Sequence, residues 1–473
     1  MLVSIILDKI NNLDEERNKM NTTFLIALGF YLLLFMIIGL MDVKKIKSFN
    51  DYGMAGKDQG TFAVTMTLLA TVLGASTTIG IVDTVYQIGF PGIWWLIFGA
   101  LGLLLQSFIL SEKVRETGAD TLPHLARITM GRTAELLLAL IIVISWIGVI
   151  AGQLVAMNSL VTFAIGRSSR IVFIVVSIIV LLYTMVGGQL SVVKTDKFQL
   201  IIIFAGIIIC CLYLYLFKGG DTSSVTQGIE LLNKDYRPMN LFTQFFVIGG
   251  VYFLGPDIMS RNFISKDEKT AKHSAFLAGM ILLVFSVVIT FTGMWVRANV
   301  TSDELGDSKA LMYVIGLIPR PVGIILIFGL LSAILSSTDT CIINASTIFV
   351  KDVLGKEDIS LVRITVGVIG MIATVLAVLG RGDILTLLTG AYSIYTPGVI
   401  FPLFIAIICY KKREIIKGIW ILGPILGGIL GIAGTYFGNA LVQVGIPEGL
   451  LSYITLIGMG ISLITSLLSI KRK

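Results

Sequence analysis

The chain has 473 residues, 56% of them hydrophobic and only 14% charged, against roughly 25% charged in soluble domains. That balance excludes a large soluble protein, and apolar runs of about 20 residues without alternation fit membrane-spanning helices rather than barrel strands. The net charge of +7 is not a nucleic-acid signal, because the basic residues are distributed loop by loop between the apolar runs.

The rarer residues narrow the chemistry. Cys210, Cys211, Cys341 and Cys409 all sit in apolar runs, so no disulfide framework is readable. The two histidines, His124 and His273, fall in loops, which argues against a zinc centre. Residues 1–20 are polar and charged, so no cleavable signal peptide is expected, and Met20 is a candidate start. No nucleophile–base constellation is in view, and a non-enzymatic membrane protein is expected.

The hydropathy pattern predicts about thirteen spans, near 22–42, 60–88, 91–112, 133–164, 170–188, 190–218, 240–261, 270–297, 320–350, 360–380, 383–409, 416–438 and 449–470. If the N-terminus is outside, Lys and Arg favour the inner loops roughly two to one. The inner set includes Lys44, Lys45, Lys57, Lys113, Arg115, Lys266, Lys269, Lys351, Lys356, Lys411, Lys412, Lys417 and Lys473. A cell-membrane protein with its N-terminus outside and its C-terminus in the cytoplasm is expected.

The second span carries Gly74-Ala-Ser-Thr-Thr78 near its middle, a cluster of small, poor helix formers. Asp83 follows about two turns on, placed to line an outer vestibule or, preferably, to pair with a neighbour. Next comes Trp94-Trp95, either an interfacial belt or a platform for a bound solute. Asp196, within Lys194-Thr-Asp-Lys197, reads equally as a helix N-cap or as part of an ion pathway. The seventh span is interrupted at Gly249-Gly250 and again at Gly255-Pro256-Asp257, where proline removes a donor and bends or breaks a helix. Asp257 and Arg261 are one helical turn apart, so an internal ion pair is predicted. Two interrupted spans, five apart, mark an inverted-repeat transporter whose half-helix ends present carbonyls and N–H groups at mid-membrane.

The ninth span is the most telling. Ser332, Ser336, Ser337, Thr338, Asp339 and Thr340 crowd into an apolar run, although a polar group in hydrocarbon costs several kcal/mol unless satisfied. Residues 333, 336, 337 and 340 share one helical face. That face offers oxygen, which a hard cation prefers. It therefore predicts part of a sodium site; the alternative is hydroxyls bonding back to their own helix. Asp339 is an intramembrane acid, functional unless a Thr or Tyr satisfies it. In the eleventh span, hydroxyls at 389, 392, 393, 395 and 396 present a side to the cavity or to packing.

These stretches resemble the sodium:solute symporter family, whose members include sodium–glucose, sodium–proline, sodium–pantothenate and sodium–sialate cotransporters. The resemblance is carried in order by Tyr52-Gly-Met-Ala-Gly-Lys57, Ala70-Thr-Val-Leu-Gly-Ala-Ser-Thr-Thr-Ile-Gly80, Thr121-Leu-Pro123, Tyr183-Thr-Met-Val-Gly-Gly188, Thr195-Asp196, Arg261 and Leu331-Ser-Ala-Ile-Leu-Ser-Ser-Thr-Asp-Thr340. It implies an all-α polytopic protein with a LeuT-like core of five plus five inverted helices and accessory helices. The expected divisions are 1–43 (N-terminus and accessory span), 44–218 (first repeat), 219–410 (second repeat) and 411–473 (two accessory spans).

The resemblance also implies Na+ as coupling ion, held by carbonyls of Ala70, Leu73 and Ala333 and hydroxyls of Ser336 and Ser337. A second cation in some members corresponds to Asp196, Asp339 and Thr340 here; the carboxylate at 339 makes that pocket more anionic or replaces the ion with an internal bond. The positions matching the sugar-binding residues of galactose carriers are Thr77, Leu96, Leu282 and Ile248, none of which keeps its polar partner, so a sugar is not expected. Ser76, Thr77, Trp95, Tyr252 and Tyr392 are the expected solute contacts, for a small amino acid or carboxylate. The expected partners are that solute and the lipid bilayer, with no nucleic acid and no obligatory protein. A proton-coupled carrier, with Asp196 or Asp339 as proton carrier, and a solute sensor remain the alternatives.

Overall fold

Inside hydrocarbon every backbone N–H and C=O must be satisfied within its own segment, which favours helices, and the chain complies. The structure, a computed structural model, describes residues 24, 26–38, 41, 46–166, 169–379, 384–410, 413–415, 418–445 and 447–472. The polar stretch 1–20 with Met20, and Lys44, Lys45, Lys411, Lys412, Lys417 and Lys473 from the charge-bias argument, lie outside the described residues.

In chain order the apolar helix α1 (Ile26–Ile38) is followed by α2 (Phe49–Met54), started by a reciprocal cap between Ser48 and Asp51. Then come α3 (Thr61–Val72), α4 (Ser76–Ile88), α5 (Phe90–Ile109), α6 (Leu122–Met130) and α7 (Arg132–Ile165). The next apolar helical run, Arg170–Lys218, is 49 residues long. At 1.5 Å per residue a straight helix of that length would span about 70 Å, more than twice the hydrocarbon thickness. Gly188, at φ 56° and ψ −170°, breaks it into α8 (170–187) and α9 (189–218), where the sequence places the fifth and sixth spans. Tyr52 is why only glycine fits there: a Cβ at 188 would lie 2.7 Å from the Tyr52 ring and 2.8 Å from its carbonyl.

The second half holds α10 (238–254), α11 (Pro256–Ile264), α12 (Glu268–Asn299), α13 (Ala310–Leu317), α14 (Arg320–Val353), α15 (Ile359–Leu379) and α16 (Ile384–Cys409). It is followed by α17 (Ile419–Tyr436) and α18 (Glu448–Leu468). A short antiparallel pair, β1 (Arg413–Ile415) with β2 (Ile470–Arg472), joins the ends of these last helices. Among the described residues nine helices are long and apolar enough to cross a bilayer, ten if the bent α3–α4 pair counts as one span. The thirteen expected spans exceed that number because Arg170–Lys218 passes as one helix, and because α1 and the apolar stretch of α18 are short.

The core centres on α14. From Gly329 to Ile348 every residue is buried, and the helix packs against α3, α7, α8 and α9. By contrast α15 leaves Ile364, Val368, Met371, Val375 and Leu379 exposed along one side, the side that lipid would cover. Both main interruptions foreseen in the sequence are present, but Gly249-Gly250 does not interrupt its span: the helix runs through it with helical dihedrals. The α3–α4 pair bends by 61° at residues 73–75, and α10 gives way to α11 at a single extended residue, Gly255 (φ −68°, ψ 145°).

Candidate ion and solute site

The α3–α4 break frees carbonyls that α14 meets with hydroxyls. Ser336 donates to the carbonyl of Ala70 at 2.7 Å and lies 3.1 Å from that of Ala333. Ser337 donates to the carbonyl of Thr71 at 2.8 Å. Ala70, Leu73, Ala333 and Ser336 are fully buried, and Ser337 nearly so. The break is itself braced: Gln153 of α7 accepts from the Ala75 N–H at 3.0 Å, while Thr77 bonds the carbonyls of Val72 and Gly74. Gly74 is needed for this approach, since a Cβ would sit 2.5 Å from the Ser337 hydroxyl and 2.8 Å from the Gln153 amide. The Ser336 hydroxyl thus touches both its own turn and the carbonyl of the facing helix, so self-bonding alone does not describe it. All these donors are neutral oxygens, the set that suits a hard monovalent cation.

The second expected trio does not share one pocket. Asp339 accepts from Tyr183 and, at 2.6 Å, from Thr184 of α8. Asp196 accepts from Thr67 and faces Arg261 Nη2 at 3.4 Å. The same Nη2 donates to Thr340 at 2.7 Å and to Thr71 at 2.6 Å. An internal guanidinium therefore stands between Asp196 and Thr340. Two local readings change with it. Asp196 is not an N-cap, because the helix runs from residue 189 and the side chain is fully buried. The Asp257–Arg261 ion pair is not among the described bridges, since Arg261 reaches across to α3, α9 and α14 instead.

Beside the candidate ion site lies a small cavity of about 20 Å³, walled by Gly74, Ser76, Gln153, Tyr252, Asp257, Ser337, Cys341 and Tyr392 among others. That is room for about one water molecule, so in this conformation the walls are closed on one another. Of the expected solute contacts, Ser76, Tyr252 and Tyr392 line it. Thr77 is consumed in bracing the break. Trp95 is buried with its ring 6.5 Å from that of Tyr392, whereas Trp94 donates to the Leu231 carbonyl at 2.8 Å, away from the cavity. Gln153 is the residue the sequence did not single out; an amide in the middle of a long apolar span, which it shares with Asn158, was the available signal. Cys341 is more than apolar filling, because it lines the cavity with its Sγ 3.9 Å from Asp257. Tyr395 of α16 donates to the Leu254 carbonyl at 2.5 Å and so closes the end of α10. Asp83 pairs with Lys309 at 3.1 Å, the preferred of its two readings. A larger groove of about 150 Å³ between α5, α10 and α16 is lined by Phe245, Phe253 and Phe404 and is almost wholly apolar, so it offers a polar solute nothing.

A model of the sodium:solute symporter family matches residues 52–418. The osmoregulated proline transporter OpuE of Bacillus subtilis (strain 168) is 24% identical over 419 residues, covering 81% of this chain and 84% of that protein. Among solved structures, a Na+-coupled sialic acid symporter in a substrate-bound outward-open state matches with a TM-score of 0.76 at 16% identity, covering 96% of this chain and 99% of the other. MhsT in complex with L-phenylalanine matches with a TM-score of 0.55 at 13% identity, over 86% of this chain and 97% of the other. The fold is that of the LeuT-like transporters.

Proposed function

The chain belongs to the sodium:solute symporter family and is a sodium-coupled symporter of a small solute, and on that basis we propose the ion site, the solute class and the working cycle. Sodium is held by the carbonyls of Ala70, Leu73 and Ala333 and the hydroxyls of Ser336 and Ser337. The observation that carries this reading is the meeting of both serine hydroxyls with carbonyls at the α3 break, next to a closed cavity. With a cation present, the hydroxyl lone pairs turn to it and their protons turn away. The solute, an amino acid or small carboxylate, occupies the cavity once its walls part in the open forms; the related proline transporter supports that class. Residues 44–218 and 219–410 form the two inverted repeats, and the N-terminus faces outside with the C-terminus in the cytoplasm.

Coupling follows from differential affinity. Sodium shifts the conformational balance only as far as it prefers the outward-open form. Entry of each charge then draws on about 2.3 kcal/mol per 100 mV, plus its concentration gradient.

The test is thermal unfolding of the purified protein in sodium against potassium or choline at equal ionic strength. A ligand of the folded form raises the midpoint by mass action. A sodium-specific rise is expected, lost in Ser336→Ala, and the pair Ser336→Ala with Ser337→Ala abolishes sodium-dependent uptake in proteoliposomes while the protein still folds. Sodium-dependent uptake persisting at wild-type levels in the double variant overturns the site.

A further inference from the structure

Among the described residues, the wall of the solute cavity holds one carboxylate and no basic side chain. Asp257 stands in the first turn of α11, just after Pro256, and lines the cavity with Ser76, Tyr252, Ser337, Cys341 and Tyr392. One of its oxygens is shielded from solvent and, among the described residues, has no hydrogen-bond partner; the other lies 3.9 Å from the Cys341 thiol. The cation one turn on, Arg261, is committed to Thr71, Thr340, Ser260 and Asp196. The helix start eases the charge of Asp257 through its own N–H and that of Ile258, but a buried oxygen without a well-placed donor is still costly. A donor entering the cavity would remove that cost.

We propose that Asp257 receives the ammonium group of the solute. The transported class is then a zwitterion with a protonated amine, an amino or imino acid, and a carboxylate lacking the amine is excluded. Two further features fit this class. The rings of Tyr252 and Tyr392 give an ammonium aromatic surface. The start of α4, at the cavity by Gly74 and Ser76, presents the positive end of a helix to the solute carboxylate. A carboxylate without an amine would instead bring a second negative charge beside Asp257. The inference rests on the sodium-symport reading and sharpens its solute.

The experiment measures the unfolding midpoint of the full chain in sodium with each of the twenty amino acids, with acetate, propionate, lactate and tetrahydrofuran-2-carboxylate, and with pyrrolidine. The last two are proline without its amine and without its carboxylate. Every solute that raises the midpoint beyond sodium alone is expected to carry the amine. In Asp257→Asn the sodium shift remains, which shows a folded protein with its ion site, while apparent affinity for the stabilising amino acid falls about tenfold or more. Stabilisation by a carboxylate without an amine, no stabilisation by any amine on top of an intact sodium shift, or unchanged affinity in Asp257→Asn each overturns the proposal and leaves sodium coupling standing. Loss of the sodium shift in the wild-type chain overturns the reading beneath it instead.

Discussion

A guanidinium deep in a helical bundle is tolerable only where oxygens surround it. Arg261 meets that condition by leaving its own helix: Thr71 belongs to α3, Asp196 to α9 and Thr340 to α14. Removing one member of a buried pair strands the other, at about 3–5 kcal/mol. Arg261→Gln and Asp196→Asn should therefore each destabilise the protein by about that amount. The double variant should cost less than the sum, by about 1.5–3 kcal/mol, because neither charge is then left alone. Unfolding in mixed micelles measures all three, and strictly additive losses would show that the two groups do not sense each other. The same arrangement bears on the second cation. A tethered positive charge already sits between Asp196 and Thr340, and Asp339 is occupied by Tyr183 and Thr184. Both Asp339 oxygens are engaged in this way, whereas one Asp196 oxygen has no hydrogen-bond partner among the described residues.

Helices that stop inside the bundle need their loose ends satisfied, and here neighbouring elements do it. Gln153 of α7 and Thr77 serve the α3–α4 break; Tyr395 of α16 serves the end of α10. The junction of α8 and α9 is a third interruption, and it depends on backbone freedom rather than on a bond. Gly188→Ala places a Cβ against the Tyr52 ring and carbonyl, in a left-handed conformation that side chains avoid. The expected loss is about 3 kcal/mol or more, read as a lower unfolding midpoint. Adding Tyr52→Ala relieves the ring contact but not the carbonyl at 2.8 Å, so recovery should be partial. Wild-type stability in Gly188→Ala would mean the junction does not need glycine. The breaks were legible in the sequence because glycine and proline clusters inside apolar runs have few other uses. The Ser336–Ser337 face was legible because hydroxyls in hydrocarbon demand partners. What the chain hides is which partner wins: helical spacing pairs Asp257 with Arg261, but oxygens from three other helices outcompete it. Local charge likewise made Asp196 look like a cap until the helix start at 189 placed it two turns inside.

Across the molecule, alternating access requires each end of the cavity to open in turn, and one end here is tied by charge. Asp120, preceding α6, is bridged by Lys57 from the α2–α3 connection and by Lys351 from the end of α14, and Lys351 also meets Glu357 at 2.6 Å. A second, smaller cavity of about 10 Å³, lined by Asp120, Ser260, Asn344 and Thr347, reaches from this cluster to Pro256, the chain neighbour of Asp257 in the solute cavity. Ser260 and Asn344 pinch it, with the Asn344 amide donating at 3.3 Å. The cluster is therefore placed to hold shut a route from Cys341 to that end. Burial raises the Asp120 pKa, but the two ammonium groups outweigh it and hold the carboxyl below its ordinary value. A depressed carboxylate contributes its stability above the ordinary pKa and loses it as pH falls through the lowered one. The Asp120 carboxylate should accordingly keep its charge above its ordinary range and lose it only below about 4. His124, 3.7 Å away and held below its ordinary pKa mainly by burial, adds a charge to the cluster on mild acidification. Asp120→Asn imitates the loss of the carboxylate charge at neutral pH and leaves Lys57 and Lys351 repelling each other. In a background where Cys210, Cys211 and Cys409 are replaced by alanine, a membrane-impermeant maleimide applied from the Lys57 side should label Cys341 about tenfold faster in Asp120→Asn than in its parent, a shift of about 1.4 kcal/mol in the opening equilibrium. Equal labelling rates would place the closing contact elsewhere, at the Ser260–Asn344 pinch.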